Sequence, residues 1–179
     1  MPNGHNADSD PDPLNGPALL SWVPRLRRYA RALVTNRNDA DDLLQDTLEK
    51  ALLKSSLWRG VVDLRAWLFG MMHNLHVDGV RRPRLQTVML DDDTPEHSVA
   101  ATQADRLAVL DLQAALERLP IEQREIILLV ALEDMSYAEV AATLGIPIGS
   151  VMSRLSRGRE RLRGLMAGQP APVRLHVVK

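Results

Sequence analysis

Residues 141–166 read AATLGIPIGSVMSRLSRGRERLRGLM, and the break inside this stretch decides the fold. Gly145 and Pro147 separate two runs whose apolar residues recur at helical spacing. Just upstream, Ser136, Tyr137, Ala138 and Glu139 form S-x-x-E, a capping box that starts a helix by satisfying two of its free N–H groups. Val140 and Leu144 fall on the inner side of that short helix. Gly145 accepts the left-handed backbone that ends it. Pro147 suits the first turn of the next helix, where its missing N–H costs nothing. Two helices joined by so short a turn make a helix-turn-helix, whose second helix enters the major groove of DNA.

The second helix, over 147–166, carries the surface that such a role needs. Val151, Leu155, Gly158 and Leu162 lie on one narrow face, at spacings of four, three and four. Ser150, Arg154, Arg157 and Arg161 stand about a quarter turn or more away, and Ser153 is nearly opposite. Arginine matches phosphates and guanine edges, and serine bonds to either. A merely solvated amphipathic helix is the plainer reading, but cap, turn and arginine register together favour DNA.

Upstream of this motif the same periodicity predicts an all-α chain. Helices are expected over 18–34, from Asn38 or Asp39 to about Lys54, over 64–82, and over 104–118, 121–132 and 136–143. Pro24 is expected to bend or restart the first, and Asp63 to cap the third. β-branched and aromatic residues never alternate as a strand requires. The expected layout is two small helical domains joined by a flexible linker: a disordered tail at 1–16, a first domain at 17–84, an acidic linker at 85–103, a second domain at 104–166, and a loose tail at 167–179.

Composition narrows the function. The 179 residues hold no cysteine, which removes disulfides and thiol chemistry. No apolar run reaches the roughly 18 residues of a membrane span. The first residues lack the basic-then-apolar pattern of a secretory signal. A cytoplasmic protein without membrane insertion is expected. The net charge is only −1, yet it is laid out in blocks. Residues 25–38 hold five Arg and no acid, residues 39–54 five acids, and residues 91–117 seven acids. Such blocks point to more than one charged partner.

Two further stretches carry candidate sites. In DADDLLQDTLEKAL (39–52), Asp42, Gln45, Asp46 and Glu49 make one polar stripe, while Leu44, Thr47, Leu48 and Ala51 face the other way. A solvated face is the default for such a stripe. On a DNA-binding chain it points instead to a protein partner of opposite charge. In DLRAWLFGMMHNLHVDGVRRPR (63–84), His73, Asn74, Arg81, Arg82 and Arg84 are candidates for contacting nucleic acid. Trp67 and Phe69 are able to stack on unpaired bases, but Trp67 lies on the apolar stripe with Leu64, Leu68, Met71, Leu75 and Val80, so core packing is the better reading for it. His73, His76 and Asp78 lack a fourth ligand, so no metal is expected, and no cofactor. No phosphate-cradling glycine loop or carboxylate pair appears, so an enzyme is not expected.

In this order the motifs resemble an extracytoplasmic-function (ECF) sigma factor of bacterial RNA polymerase, over about residues 18–166. DADDLLQDTLEKAL is similar to the polymerase-binding part of sigma region 2. DLRAWLFGMMHNLHVDGVRR is similar to the stretch that opens and reads the −10 element. ALERLPIEQREIILLVALEDMSYAEVAATLGIPIGSVMSRLSRGRERL is similar to region 4.

The resemblance implies an alternative sigma factor with core RNA polymerase, promoter DNA and an anti-sigma factor as partners, and a monomer when free. It places Asp42, Gln45 and Asp46 on the clamp coiled coil of the largest polymerase subunit. It places Asn74 at a flipped −10 base, and Arg81 and Arg82 beside the −10 backbone. It places Ser153, Arg154, Ser156 and Arg157 on the −35 face, next to Ser150 and Arg161. Asp91, Asp92 and Asp93 would mimic nucleic-acid charge in the polymerase cleft. Many members carry Lys or Arg where this chain has Met152, and a bulky residue near Ser156. A looser likeness, through PRLRRYARALV and the acidic stretch after it, is to the general-stress-response subgroup of alphaproteobacteria, held by a small anti-sigma protein. The competing reading is a free-standing helix-turn-helix regulator binding operators. It accounts for residues 104–166 but leaves the acidic stripe and the Arg81–Arg82 end without a purpose.

Overall fold

A computed structural model describes residues 16–54, 63–81 and 103–168. Every regular element among them is helical: α1 (Gly16–Leu33), α2 (Arg37–Leu53), α3 (Leu64–Arg81), α4 (Gln103–Glu117), α5 (Ile121–Glu133), α6 (Tyr137–Leu144) and α7 (Ile148–Met166). Residues 1–15, 55–62, 82–102 and 169–179 lie outside the described residues; they take in all but the edges of the tails expected at 1–16 and 167–179 and of the linker expected at 85–103, with Asp91, Asp92 and Asp93, and also Arg82 and Arg84.

Local chemistry sets most helix ends. α2 is capped by Asn36, not by Asn38 or Asp39 as the sequence reading expects. The Asn36 side chain accepts from the N–H groups of Asn38 and Asp39, at 2.8 and 3.2 Å. Its carboxamide therefore sits one turn earlier and satisfies two donors that Asn38 or Asp39 in the cap role would leave open. Asp63 caps α3, accepting from the Ala66 N–H at 3.2 Å. The capping box forms: Glu139 N–H donates to Ser136 Oγ, and Ser136 N–H to Glu139 Oε2 at 2.7 Å. Gly145 ends α6 at φ 64°, and Pro147 stands at the N-cap of α7 rather than within its first turn. α1 runs through Pro24 without a break. Pro24 is exposed, and the carbonyl it leaves without a helical donor belongs to Leu20, itself 67% exposed, so the break in the ladder falls on the solvent side of the helix.

The first half packs α1, α2 and α3 around Leu26, Tyr29, Leu33, Leu44, Leu68 and Met72. Tyr29 and Phe69 meet edge to face, with centroids 5.0 Å apart. Phe69 is therefore core and not open to a base. In the second half, α7 lies on α5 with α4 and α6 beside it. α5 is buried over Gln123–Leu129, unlike the one-sided helices around it. A helix apolar on nearly all sides must have neighbours on nearly all sides. Here α7 supplies one wall and α1, from the first half, another. The two halves thus dock along a seam, α1 on α5 and α3 on α6.

Candidate polymerase and nucleic-acid interfaces

The acidic stripe stands clear of the packing. Asp42, Gln45, Asp46 and Glu49 are exposed on α2, opposite buried Ala40, Leu43, Leu44, Thr47 and Ala51. Thr47 satisfies its hydroxyl in the core by donating to the Leu43 carbonyl at 2.7 Å. Gln45 Nε2 donates to Glu49 Oε1 at 2.9 Å, so these two lie together along the helix surface. A row of carboxylates on a rigid, half-buried helix is a preformed surface for a basic partner.

The outward face of α7 is polar and cationic. Val151, Leu155, Gly158 and Leu165 are buried against the rest of the second half. Ser153, Ser156 and Arg157 are exposed; Ser150, Arg154 and Arg161 are half-buried on the flank. Arg157 folds back along the helix, its Nε donating to the Ser153 carbonyl at 3.1 Å and its Nη2 to Ser153 Oγ at 3.4 Å. Arg154 leans towards Glu122, 3.6 Å away. The close approach of α7 to α5 depends on Gly158: a Cβ there would stand 2.9 Å from Ile127 Cδ1 and 3.2 Å from Gln123 Cβ.

The third candidate surface lies partly on the seam. Asn74 is exposed in a groove of about 420 Å³ lined also by Lys50, Lys54, Trp67 and, from α6, Ala142 and Thr143. An amide, an indole and two ammonium groups can hydrogen-bond, stack on and neutralise a nucleotide. His73 is turned to the other half: its Nδ1 lies 2.6 Å from Glu125 Oε1. Arg81 ends α3.

The seam itself is the feature that sequence spacing did not disclose. Glu133 is fully buried, and its carboxylate takes Arg25 at 2.8 Å and Arg28 at 3.3 Å. Arg28 also donates to the Leu132 carbonyl at 2.8 Å, and Arg65 to the Glu133 carbonyl at 3.0 Å and to the Glu139 carboxylate. Arg124 donates to the Leu116 carbonyl at 2.8 Å and to the Leu33 carbonyl at 2.7 Å, placing one cation at the C-terminal ends of α4 and α1 together. The arginine block at 25–38, read from sequence as facing outside partners, is thus largely spent inside the chain: Arg31 also faces Asp41, at 3.5 Å. Three charges inside the apolar run of α5, Arg124, Glu125 and Glu133, were the available signal, since buried charges need partners.

The seam also moves titrations. Burial first, then the Glu125 and Glu133 carboxylates, raise the Tyr29 phenol well above its usual 10.0, so it stays protonated. Burial lowers the His76 imidazole below 6.5, with His73 and Arg124 adding to it and Glu125 opposing. The Ser136 hydrogen bonds, with Arg65 assisting, lower the Glu139 carboxyl below 4.5. Among the described residues, no cluster of three or more metal-ligating side chains occurs, and no helix is long and apolar enough to cross a membrane.

Residues 19–73 match the Sigma2 domain of PhyR, and residues 110–162 match sigma-70, region 4. Across 151 residues the chain is 35% identical to the ECF RNA polymerase sigma factor EcfG of Rhodopseudomonas palustris, covering 83% of this chain and 82% of that one. The chain belongs to the ECF RNA polymerase sigma factors. Among solved structures this sigma factor is similar to RpoE of Bartonella quintana, determined in complex with the anti-sigma factor NepR: TM-score 0.69, 32% identity, 83% of this chain and 94% of that one. It is also similar to CnrH in complex with the cytosolic domain of CnrY: TM-score 0.64, 28% identity, 89% and 94% covered. α1, α2 and most of α3 fall in the PhyR-type match, and the end of α4 through most of α7 in the region 4 match.

Proposed function

We propose that this sigma factor binds core RNA polymerase through Asp42, Gln45, Asp46 and Glu49, and gives it promoter specificity. α7 reads the −35 duplex through Ser153, Ser156 and Arg157, with Ser150, Arg154 and Arg161 towards the phosphates. The α3 groove takes the melted −10 strand: Asn74 bonds an unstacked base, Trp67 offers a ring face, and Lys50, Arg81, Arg82 and Arg84 neutralise the backbone. Polymerase carries out the catalysis; the sigma factor works in the cytoplasm and is not itself an enzyme. The observation that carries this reading is that one chain presents an exposed acidic stripe on α2 and an exposed polar face on α7, behind a complete helix-turn-helix.

The docked halves cannot perform both readings at once. Elements centred near −10 and −35 are ~25 base pairs apart, or ~85 Å of duplex. The described residues, docked together, make a body roughly 35 Å across. α6 also lines the groove that holds Asn74. Promoter engagement therefore requires the seam to open, and the chain between Arg81 and Gln103 lets the halves part by up to about 70 Å. An anti-sigma factor, of the kind bound to RpoE in its solved complex, would hold the closed form, and the EcfG and PhyR likenesses support a role in a general stress response.

Run-off transcription with core polymerase, this protein and a pool of promoter fragments tests the reading. Transcripts from defined starts, absent without the protein, are expected. Specific duplex binding by the protein alone, without transcripts, would make it an operator-binding regulator.

A further inference from the structure

The reading face of α7 contains an exposed side chain whose chemistry does not match phosphates or donor–acceptor edges. Met152 is 54% exposed and stands outside the apolar core. At about 100° per residue it points a quarter turn away from buried Val151, towards Ser153 and Ser156. Its neighbours on the outward face, Gly149, Ser153 and Ser156, are small and exposed, so the thioether projects beyond them. Ile148, four residues earlier and 49% exposed, lies on the same edge. Without DNA, Arg157 bonds back to Ser153 and Arg154 leans to Glu122, so Met152 shares the face with cations that turn to either side of it. The N-terminal part of a recognition helix, where Met152 sits, is the part that reaches base edges.

The major groove offers one apolar group, the C5-methyl of thymine. A methionine has three rotatable bonds and a polarizable sulfur, and fits itself to an irregular apolar contact. It donates no hydrogen bond to guanine and accepts none usefully from cytosine. We propose that Met152 is a base-specificity determinant that packs on the C5-methyl of a thymine in the upstream duplex element, with Ile148 closing the apolar edge. This rests on the assignment of α7 to the −35 duplex.

Deoxyuridine substitution tests it, because exchanging thymine for uracil removes only the methyl group and keeps base pairing. The holoenzyme, assembled from core polymerase and the full chain, is titrated onto a promoter found by run-off transcription. Each thymine of its upstream element, on either strand, is replaced singly by deoxyuridine. One position is expected to weaken binding by about 3- to 5-fold, the loss for one buried methyl. Met152→Ala is expected to bind more weakly and to be indifferent to uracil at that position. Met152→Lys is expected to move the preference there from T·A towards G·C. Circular dichroism matching wild type keeps the variants comparable, and an exposed site makes this the expected result. Indifference of the wild type to every uracil, with promoter preference intact, would overturn the inference while leaving the sigma-factor reading in place. So would a methyl effect of equal size in Met152→Ala, or an upstream element made only of G·C pairs. Loss of all sequence preference in the upstream duplex would instead overturn the assignment of α7 itself, and the inference with it.

Discussion

Asp46 shows how little a functional side chain needs to do for the fold. It is exposed on α2, and the core lies on the opposite face. Asp46→Arg is expected to leave unfolding unchanged and to lower affinity for core polymerase about tenfold or more, measured by titrating labelled core enzyme. Unchanged affinity would remove the stripe from the polymerase interface. Gly158 is the opposite case, a residue defined by what surrounds it. Gly158→Val is expected to cost about 2 kcal/mol or more in urea unfolding, because its branches meet Ile127 and Gln123 at contact distance. Gly158→Ala is expected to cost far less. The Ile127 Cδ1 end can swing away, and alanine gains up to about 1 kcal/mol of helix propensity. Equal costs would mean that α5 and α7 are not closely apposed there.

At the scale of elements, the capping box matters most, because α6 and its turn set the angle at which α7 is presented. Ser136→Ala is expected to destabilise the chain by about 1 kcal/mol, read from the shift of the urea midpoint. Weaker −35 binding should accompany it even though Ser136 lies outside the reading face. A shift of under a few tenths of a kcal/mol would show that the cap is dispensable. The box was legible in sequence because its partners are three residues apart. The start of α2 was less legible: Asn36, Asn38 and Asp39 are all good caps, and only the bonds actually made select Asn36. The left-handed Asp134 that ends α5 was only weakly marked: Asp tolerates that backbone but does not demand it as Gly145 does, and Met135 after it is buried in the core.

The whole molecule is governed by the seam. Glu133→Ala removes the carboxylate that Arg25 and Arg28 share. Both arginines are partly exposed and return to water, so a loss of about 1–3 kcal/mol is expected, less than for a fully buried pair. The signature is a larger radius of gyration in solution scattering with helix content retained. An unchanged radius would show that apolar contacts alone hold the halves. Acid acts on the same surface. His76 has its folded pKa below the usual 6.5, so it favours folding fully above pH 6.5 and loses that contribution as pH falls through the lowered value. Urea midpoints should therefore drop between pH 7.5 and pH 5.5, and His76→Asn should flatten the drop. An identical profile in the variant would exclude His76 as the source.

Sequence alone determined the helix-turn-helix, the helical character of the chain, the acidic stripe on α2 and the polar face of α7. Each depends on residues within one helix or two adjoining ones, where helix geometry converts spacing directly into direction. The docking of the halves was decided by tertiary structure alone. Arg25 and Glu133 are separated by 108 residues, and Arg124 and Leu33 by 91. Over such distances spacing carries no direction, and the sequence showed only that α5 holds charges in an apolar run. Which arginines those charges meet, and that His73 turns to Glu125 instead of to solvent, follows from burial: a carboxylate taken out of water must find its counter-charge in whatever the fold brings beside it.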